Sequence, residues 1–403
     1  MRRCIGNLDF EAALARDASL REGAHPRGGP RLDLPRDVLA VSSALATLLR
    51  VFLEEGDRLW TPHAVDPERM AAVPGIPEPV LETGPLDRLP PAEATLAWGE
   101  SRAPEALRAA PPAPRPGVRI LADEEAAALP YAERLWELPR ASAEAAARAN
   151  DRRFALEIAR SLGAALPGAA EVASLRELEA HIAAGATASG AGEWVLKAPF
   201  SSAGRLRLFG RGPKLDRAKA ARAERLFQAF GRLVFEPWVE RTADFGRSGL
   251  VGDGAVEILP AHRAIVGRRG GYLGTEVPLR RPALSGEETE ISDRALEETA
   301  LRLHALGYRG PFTVDFFRYR SPAGEALLHP LGEINARASF GLVARAFASR
   351  LRLARRAESV RLRVDPRRDA RIPEAGPIAP LLLPEAGARG AAWLEIARGV
   401  PEP

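Results

Sequence analysis

The spacing of apolar residues in the second half of the chain constrains the fold most strongly. From about residue 142 to residue 239, segments with helical periodicity alternate with short apolar strands, and after Gly246 most segments have the two-residue period of strands. The first pattern is typical of α/β units, and the second is typical of α+β structures with antiparallel sheets. The sequence therefore predicts a mixed α/β and α+β architecture.

Several elements have clear predicted boundaries. Residues 141–163 are predicted as one helix that begins near Ser142 and ends at Gly163, and Ser174 with Glu177 predicts a capping box for a second helix. Another helix is predicted near residues 292–306, and a short helix at the end of the chain. The main predicted strands are 118–122, 192–200, 205–210, 232–239, 256–266, 271–277, 312–319 and 325–338.

Composition excludes several classes of protein. The chain has 403 residues, which is enough for two or three domains, and its 46% hydrophobic and 27% charged residues are ordinary globular values. No apolar run approaches the roughly 20 residues that a membrane span needs, and the N-terminus has no secretory pattern. The single cysteine, Cys4, excludes an internal disulfide and a structural zinc cluster. We therefore expect a cytoplasmic globular protein without a membrane segment.

The charge pattern separates the lysines from the other basic residues. The net charge of +4 comes from 57 basic and 53 acidic residues that are spread along the chain, without the basic runs and interleaved aromatic residues of nucleic-acid binders. We therefore expect no nucleic-acid partner. Only three of the basic residues are lysines, namely Lys197, Lys214 and Lys219. A lysine within an apolar strand of such a chain is a candidate for function.

The last predicted strand pair carries a row of polar residues. Side chains alternate along a strand, so Glu333, Asn335 and Arg337 share one face, and Asp315 on the preceding strand can face the same way. Carboxylate and amide oxygens suit Mg²⁺, and an arginine beside them suits an oxyanion. The alternative is a solvent-exposed polar strand face.

The register of this strand pair requires an irregularity. If the turn is centred on residues 321–324, simple pairing places Asp315 opposite Pro330 rather than Glu333. A bulge near His329 and Pro330 is therefore predicted, because extra residues on one strand would bring Glu333 to Asp315.

Lys197 lies in the apolar segment EWVLKAPF and is followed by SSAG. A lysine there must either extend to solvent at a strand edge or meet an anion. Ser201, Ser202 and Gly204 can present hydroxyl and N–H groups to phosphate oxygens.

The segment FEPWVERTADF follows a further predicted helix at about residues 216–230. A strand that ends at Glu236 can present the carbonyl of Pro237 and the N–H of Val239, which is the acceptor and donor pair that an adenine edge needs. Trp238 is interpreted as a packing residue.

The order of these motifs, from about residue 149 to residue 345, resembles the ATP-grasp superfamily. The resemblance implies an ATP-grasp fold, in which two α+β subdomains enclose ATP, here preceded by an α/β domain similar to the pre-ATP-grasp domain. It implies domains at 1–140, 141–236 and 237–350, with a C-terminal extension at 351–403. The expected cofactors are ATP and Mg²⁺ or Mn²⁺.

The resemblance also implies roles for individual residues. Lys197 resembles the catalytic lysine that contacts the α- and β-phosphates, and Arg337 resembles the arginine near the transferred phosphoryl group. Glu333 is expected to bridge two ions, and Arg152 and Arg153 stand where many members have a further phosphate-binding lysine; Arg153 is taken as the phosphate ligand. The remaining implied ligands are Ser201, Ser202 and Gly204 in the phosphate loop, Glu236, Pro237 and Val239 at the adenine, Asp244 at the ribose, and Asp315, Glu333 and Asn335 at the metal.

The resemblance implies an ATP-dependent ligase that activates a carboxylate as an acyl phosphate for attack by an amine or thiol. The alternatives are a small-molecule kinase on the same fold and a nucleotide-binding protein without turnover. His262, Arg263, Arg268 and Arg269 are candidates for substrate contacts, with a solvated loop as the alternative. The expected partners are small molecules, and the formation of a homodimer is left open.

Overall fold

The structure is a computed structural model that describes residues 2–21, 34–99, 115–188, 192–201, 206–267 and 271–397. The helices in these residues are α1 Phe10–Arg21, α2 Arg36–Ala46, α3 Asp123–Ala128, α4 Tyr131–Glu137, α5 Ala143–Asn150, α6 Arg152–Ser161, α7 Leu175–Ala188, α8 Arg217–Phe230, α9 Gly286–Ala305 and α10 Phe340–Arg350. The strands are β1 Arg2–Ile5, β2 Arg58–Trp60, β3 Val80–Glu82, β4 Ala94–Ala97, β5 Gly117–Ile120, β6 Ala170–Val172, β7 Glu193–Lys197, β8 Arg207–Arg211, β9 Leu233–Pro237, β10 Glu240–Val251, β11 Ala255–Val266, β12 Tyr272–Pro278, β13 Gly310–Arg320, β14 Ala326–Asn335, β15 Ser359–Asp365, β16 Ile378–Leu382 and β17 Ala391–Ala397.

The N-terminal part contains a parallel sheet of four short strands in the order β3-β2-β1-β4. Parallel strands need crossover connections, which place helices over the sheet. Phe10 of α1 and Leu45 of α2 are buried in the same core as Cys4 and Leu59 of the sheet. This arrangement confirms an α/β domain before the strand-rich part of the chain.

A second sheet has four strands in the order β6-β9-β7-β8 and is antiparallel throughout. Its apolar side chains, including Leu196 and Phe235, are buried with Leu178 of α7 and Leu226 of α8. Trp194 and Leu196, which alternate along β7, therefore pack in this core. Lys197, which is at the end of β7, is consequently held at the edge of this core.

The largest sheet runs β14-β13-β10-β11-β12-β15-β17-β16, and β5 is paired in parallel with β11. Phe312 and Val314 of β13 and Leu296 of α9 are fully buried in one core. The sheet takes β5 from before residue 140 and β15 to β17 from after residue 350. The sheet therefore crosses two of the three boundaries between the four proposed domains.

The helix predicted over residues 141–163 is two helices, and this part of the prediction was wrong. The chain is extended at Asp151 (φ −71°, ψ 122°), whose carboxylate accepts a hydrogen bond from the backbone N–H of Arg153 at 2.9 Å and caps α6. The backbone N–H of Arg152 donates to the carbonyl of Pro199 at 3.1 Å. A contact with the segment that follows β7 therefore replaces a helical hydrogen bond at this position.

The short helix predicted near the end of the chain was also wrong. Residues 391–397 form β17, which pairs with β15 over its whole length and with β16 on its other side. Alanine at 391, 392 and 397 favours a helix locally, but a strand at this position completes the ladder between two neighbours.

Among the described helices, the structure contains none that is both long and apolar enough to cross a membrane.

Candidate functional site

The pairing of β13 with β14 brings the predicted acidic residues together. Asp315 is directly opposite Glu333, and Phe317 is opposite His329, so two residues of β13 span four residues of β14. The predicted bulge is confirmed, and it contains Gly332. A Cβ atom at Gly332 would lie 3.1 Å from the Asp315 carbonyl oxygen, so a side chain there would crowd the strand pair.

Asn335 links the acidic pair to Arg337. Its side-chain nitrogen donates to Asp315 Oδ2 at 2.8 Å, and its side-chain oxygen accepts from Arg337 Nη2 at 2.9 Å. Asp315 is exposed, but the surrounding protein removes much of its hydration. This loss of hydration, together with the nearby Glu333 carboxylate, raises the pKa of Asp315 to about 7. A carboxylate in this setting is well suited to a cation.

Glu333 is in the opposite electrostatic setting. Its Oε1 accepts a hydrogen bond from Arg152 Nη2 at 2.6 Å, and Arg207 Nη2 lies 3.5 Å from its Oε2. Loss of hydration acts to raise its pKa, but the positive charges led by Arg152 and Arg207 outweigh this effect and lower the pKa of Glu333 to about 2. Glu333 is therefore ionised over the whole physiological pH range.

The break between α5 and α6 determines which arginine reaches the site. Arg152, at the start of α6, is 5% exposed and also donates to the Ala198 carbonyl at 2.8 Å. Arg153 instead forms an ion pair with Asp151 at 2.6 Å. The structure therefore places Arg152, and not the predicted Arg153, against Glu333 of the predicted metal site.

Lys197 is buried and forms an ion pair with Glu236, with 2.5 Å between Nζ and Oε2. Burial lowers the pKa of the Lys197 ammonium, although the Glu236 carboxylate opposes this shift. The same lysine contributes to the positive field at Glu333. Two residues predicted to bind different parts of a nucleotide are thus direct neighbours.

Arg207 is a site residue that the sequence analysis missed. It is opposite Lys197 in the β7–β8 pair, and directly opposite residues of an antiparallel pair share a face. The hairpin register could have revealed it, because the predicted strand 205–210 follows Lys197 after a short loop.

The predicted phosphate loop is only partly described. Ser201 is 5% exposed, and its hydroxyl oxygen is buried without a hydrogen-bond partner among the described residues. Ser202 and Gly204 lie outside the described residues.

A cleft of about 1070 Å³ lies beside this charged cluster. Its walls include Pro237, Trp238 and Val239 of the predicted adenine segment, together with Asp244 and Arg207. Trp238 packs edge-on against Phe209, with 4.9 Å between the ring centroids, as expected for a packing residue. The volume is in the range of small-molecule sites.

Two strands connect the cleft with the acidic pair. Asp244 of β10 is two residues from Gly246, and Gly246 is directly opposite Asp315 of β13. Arg241 forms an ion pair with Asp244 at 3.1 Å, so a cation already neighbours the predicted ribose ligand.

The N-terminal domain contributes to the site through Glu11, which the sequence analysis did not identify. Glu11 Oε1 accepts hydrogen bonds from Arg337 Nε at 2.8 Å and from Nη2 at 2.5 Å. The Arg337 guanidinium also lies over the Trp98 ring, 5.3 Å from its centroid. Contacts with two residues of the N-terminal domain, Glu11 and Trp98, therefore orient Arg337.

Two of the four proposed substrate contacts, His262 and Arg263, are among the described residues. His262 is buried between Gly246 and Gly341, where Cβ atoms would approach its ring within 2.4 and 2.3 Å, and Arg263 is exposed. Arg268 and Arg269 lie outside the described residues. The packing of His262 indicates a structural role.

The donor atoms at the predicted metal site are those that Mg²⁺ prefers. Asp315, Glu333 and the amide oxygen of Asn335 are hard oxygen ligands on two paired strands. Among the described residues, no group of three or more histidine, cysteine, aspartate or glutamate side chains is placed to hold a metal ion alone. The residues therefore fit Mg²⁺ only if water and phosphate oxygens complete its shell.

We expect Lys197→Met to weaken the binding of a non-hydrolysable ATP analogue by roughly 1.5 to 3 kcal/mol, because a charge-assisted hydrogen bond to phosphate is lost. Calorimetric titration measures the change. The matched control is Lys219→Met, since Lys219 is on α8 and pairs with Asp216. An unchanged dissociation constant in a folded Lys197→Met protein would remove Lys197 from the phosphate site.

No family model matches the sequence, and no curated protein matches it. Solved structures do match the fold. N5-carboxyaminoimidazole ribonucleotide synthetase from Thermus thermophilus aligns with a TM-score of 0.52 and 15% identity over 99% of this chain and 94% of that chain. N5-carboxyaminoimidazole synthetase from Staphylococcus aureus aligns with a TM-score of 0.52, 11% identity and the same coverage. Its complex with ADP aligns with a TM-score of 0.50 and 10% identity, over 99% and 93% of the two chains.

These similarities extend over nearly the whole length of each chain, so they include the N-terminal parallel sheet as well as the two later sheets. Because the sequence identities are low, these similarities establish the fold only. The resemblance drawn from the sequence motifs is thereby confirmed at that level: this chain has the ATP-grasp fold, preceded by an α/β N-terminal domain.

Proposed function

We propose that this protein is an ATP-dependent ligase that activates a carboxylate as an acyl phosphate for attack by an amine or thiol. One observation carries the proposal: Arg207 lines the nucleotide-sized cleft and also pairs with Glu333 of the acidic cluster. The cleft and the cluster are thus one continuous site. A nucleotide whose base lies in the cleft would direct its phosphates toward Glu333 and Asp315.

The residues divide into those that bind and those that act on the phosphates. Pro237 and Val239 would bind the adenine through their backbone, and Asp244 would bind the ribose. Lys197, Arg152 and the Ser201 hydroxyl would hold phosphate oxygens. All three side chains are buried, and the Ser201 hydroxyl and the Arg152 Nε have no hydrogen-bond partner among the described residues. Fixed positive groups in a partly dehydrated site stabilise the charge that develops during phosphoryl transfer.

Mg²⁺ bound at Asp315 and Asn335 would neutralise phosphate charge and orient the γ-phosphoryl group. Arg337, which Glu11 and Asn335 hold in place, would face the carboxylate substrate or the transferred group. In the first step a carboxylate oxygen attacks the γ-phosphorus and ADP leaves. In the second step the amine or thiol attacks the acyl carbonyl and phosphate leaves, so no protein nucleophile is needed.

The domain limits 1–140, 141–236, 237–350 and 351–403 are part of this proposal. The Arg337–Glu11 ion pair supports a role of the N-terminal domain on the acceptor side of the site.

We expect hydroxylamine to trap a hydroxamate when the protein is incubated with Mg·ATP and a carboxylate that stimulates ADP release. An acyl phosphate has a good leaving group on its carbonyl and reacts with small nucleophiles, whereas a phosphate ester does not. A coupled screen for ADP release against amino acids, dipeptides and other small carboxylic acids identifies the substrate.

The outcomes separate the alternative functions. A stable phosphorylated product without hydroxamate would indicate a kinase. Tight ATP binding without ADP release in the presence of any acid or hydroxyl compound would indicate a nucleotide-binding protein.

A further inference from the structure

Both carboxylate oxygens of Glu333 already face a guanidinium group. Oε1 is 2.6 Å from Arg152 Nη2, and Oε2 is 3.5 Å from Arg207 Nη2. The two arginines come from different elements, the start of α6 and the start of β8, and approach Glu333 separately. Glu333 was expected to bridge two metal ions, and here it bridges two arginines.

The same two arginines retain unused hydrogen-bond donors. The Nε atoms of Arg152 and Arg207 are buried and have no hydrogen-bond partner among the described residues. Arg152 is 5% exposed, so water is a poor substitute for the missing acceptor. A buried N–H on a cation is costly unless it meets an acceptor, and an anion is the most favourable acceptor. The unpaired donors therefore indicate that phosphate oxygens are the missing acceptors.

A divalent ion on Glu333 would have to lie close to both guanidinium groups. Its two positive charges would be repelled by Arg152 and Arg207, and the strong hydrogen bond from Arg152 would have to break. Asp315 is different, because its carboxylate accepts from the neutral amide N–H of Asn335 at 2.8 Å, and the nearby Arg337 guanidinium donates to the Asn335 oxygen rather than to Asp315. A divalent ion is therefore bound more favourably by Asp315 than by Glu333.

We propose that Arg152 and Arg207 take the place of the second metal ion, so that this site binds ATP with a single divalent ion on the Asp315 and Asn335 side. This inference rests on the proposed function, because it assumes that the phosphates occupy the site. The arginines would neutralise the phosphates as a metal does, but with fixed N–H directions and a charge that no chelator removes.

The test counts Mn²⁺ ions in the complex of the full chain with a non-hydrolysable ATP analogue, with the protein in excess over the nucleotide. Electron paramagnetic resonance measures free Mn²⁺ during the titration and the spectrum of the bound ion. We expect one Mn²⁺ per bound nucleotide and an uncoupled spectrum. Two ions per nucleotide with a spin-coupled spectrum would overturn the inference and leave the proposed function intact. Failure to bind the nucleotide at all would overturn both.

Variants test whether the arginines are the cause. The double variant Arg152→Met, Arg207→Met frees Glu333, so we expect the count to rise to two Mn²⁺ ions and the dissociation constant for the analogue to rise roughly 10-fold or more. A count that stays at one would show that the arginines do not replace an ion. If the double variant does not fold, the ions are counted with the single variant Arg207→Met. Arg207 is partly exposed, so its replacement is better tolerated than that of Arg152.

The matched control is Arg160→Met. Arg160 is on the same helix as Arg152, but it is exposed and donates to the Ala169 carbonyl at 2.9 Å. Its replacement should leave both the ion count and the nucleotide affinity unchanged, and a change in either would contradict the assignment to Arg152.

Discussion

Replacement of Glu333 by glutamine is expected to lower kcat for ADP release by about 10²- to 10³-fold, the range for loss of one preorganised electrostatic group. The glutamine keeps the size of the side chain but removes the charge that holds Arg152 and Arg207 in position. Affinity for a non-hydrolysable ATP analogue should be retained or increased, because the arginines lose an anion that competes with the phosphates. Steady-state kinetics and calorimetric titration measure the two effects.

Glu288→Gln is the control for this prediction. Glu288 also pairs with an arginine of the large sheet, Arg318 at 2.7 Å, but it lies on α9 away from the cleft. Its variant should keep the parent kcat. If Glu333→Gln turns over ATP like the parent protein, phosphoryl transfer takes place elsewhere.

Asp315→Asn is expected to abolish Mg²⁺-dependent turnover and, without ligands, to stabilise the protein. Loss of hydration and the Glu333 charge raise the pKa of Asp315 to about 7, so its ionised form is unfavourable in the folded state. Asparagine resembles the protonated form. Since Asp315 is partly screened by solvent, we expect a gain of about 1 kcal/mol in the free energy of unfolding at pH 8.

The pH dependence of this gain has a definite sign. The unfolded carboxyl titrates near its model value of 3.8, and the folded carboxyl titrates near 7. Below the first value Asp315 is protonated in both states, so the variant has no advantage; the advantage grows between the two values and is constant above the second. Chemical denaturation at pH 4 and at pH 8 measures it.

Asp369→Asn is the control, because Asp369 is exposed, and this variant should have the same free energy of unfolding as the parent at both pH values. Added Mg²⁺ and nucleotide should stabilise the parent protein and not Asp315→Asn. A variant that is less stable than the parent at pH 8 without ligands would contradict the unfavourable setting of Asp315.

Local patterns were sufficient to predict the strand pair that carries the predicted metal ligands. Two-residue alternation identified the common face of Glu333 and Asn335, and counting residues from the turn predicted the bulge that brings Glu333 opposite Asp315. The shared strand face and the bulge both depend on residues that are close in sequence. The geometry of a single strand pair is therefore enough to predict them. The position of Lys197 in an apolar strand followed from the same kind of pattern.

The sequence by itself determined the mixed α/β and α+β class, most of the strands between residues 192 and 338, the motif order of the ATP-grasp fold and the residue types available for the site. Only the tertiary structure decided that α6 begins at Arg152, that residues 391–397 form a strand, and that Arg207 and Glu11 join the site. The Arg152 N–H bonds to Pro199, and Glu11 meets Arg337 from the other end of the chain. Such contacts join residues that are distant in sequence and have no shared periodicity, so packing selects among side chains that are locally equivalent.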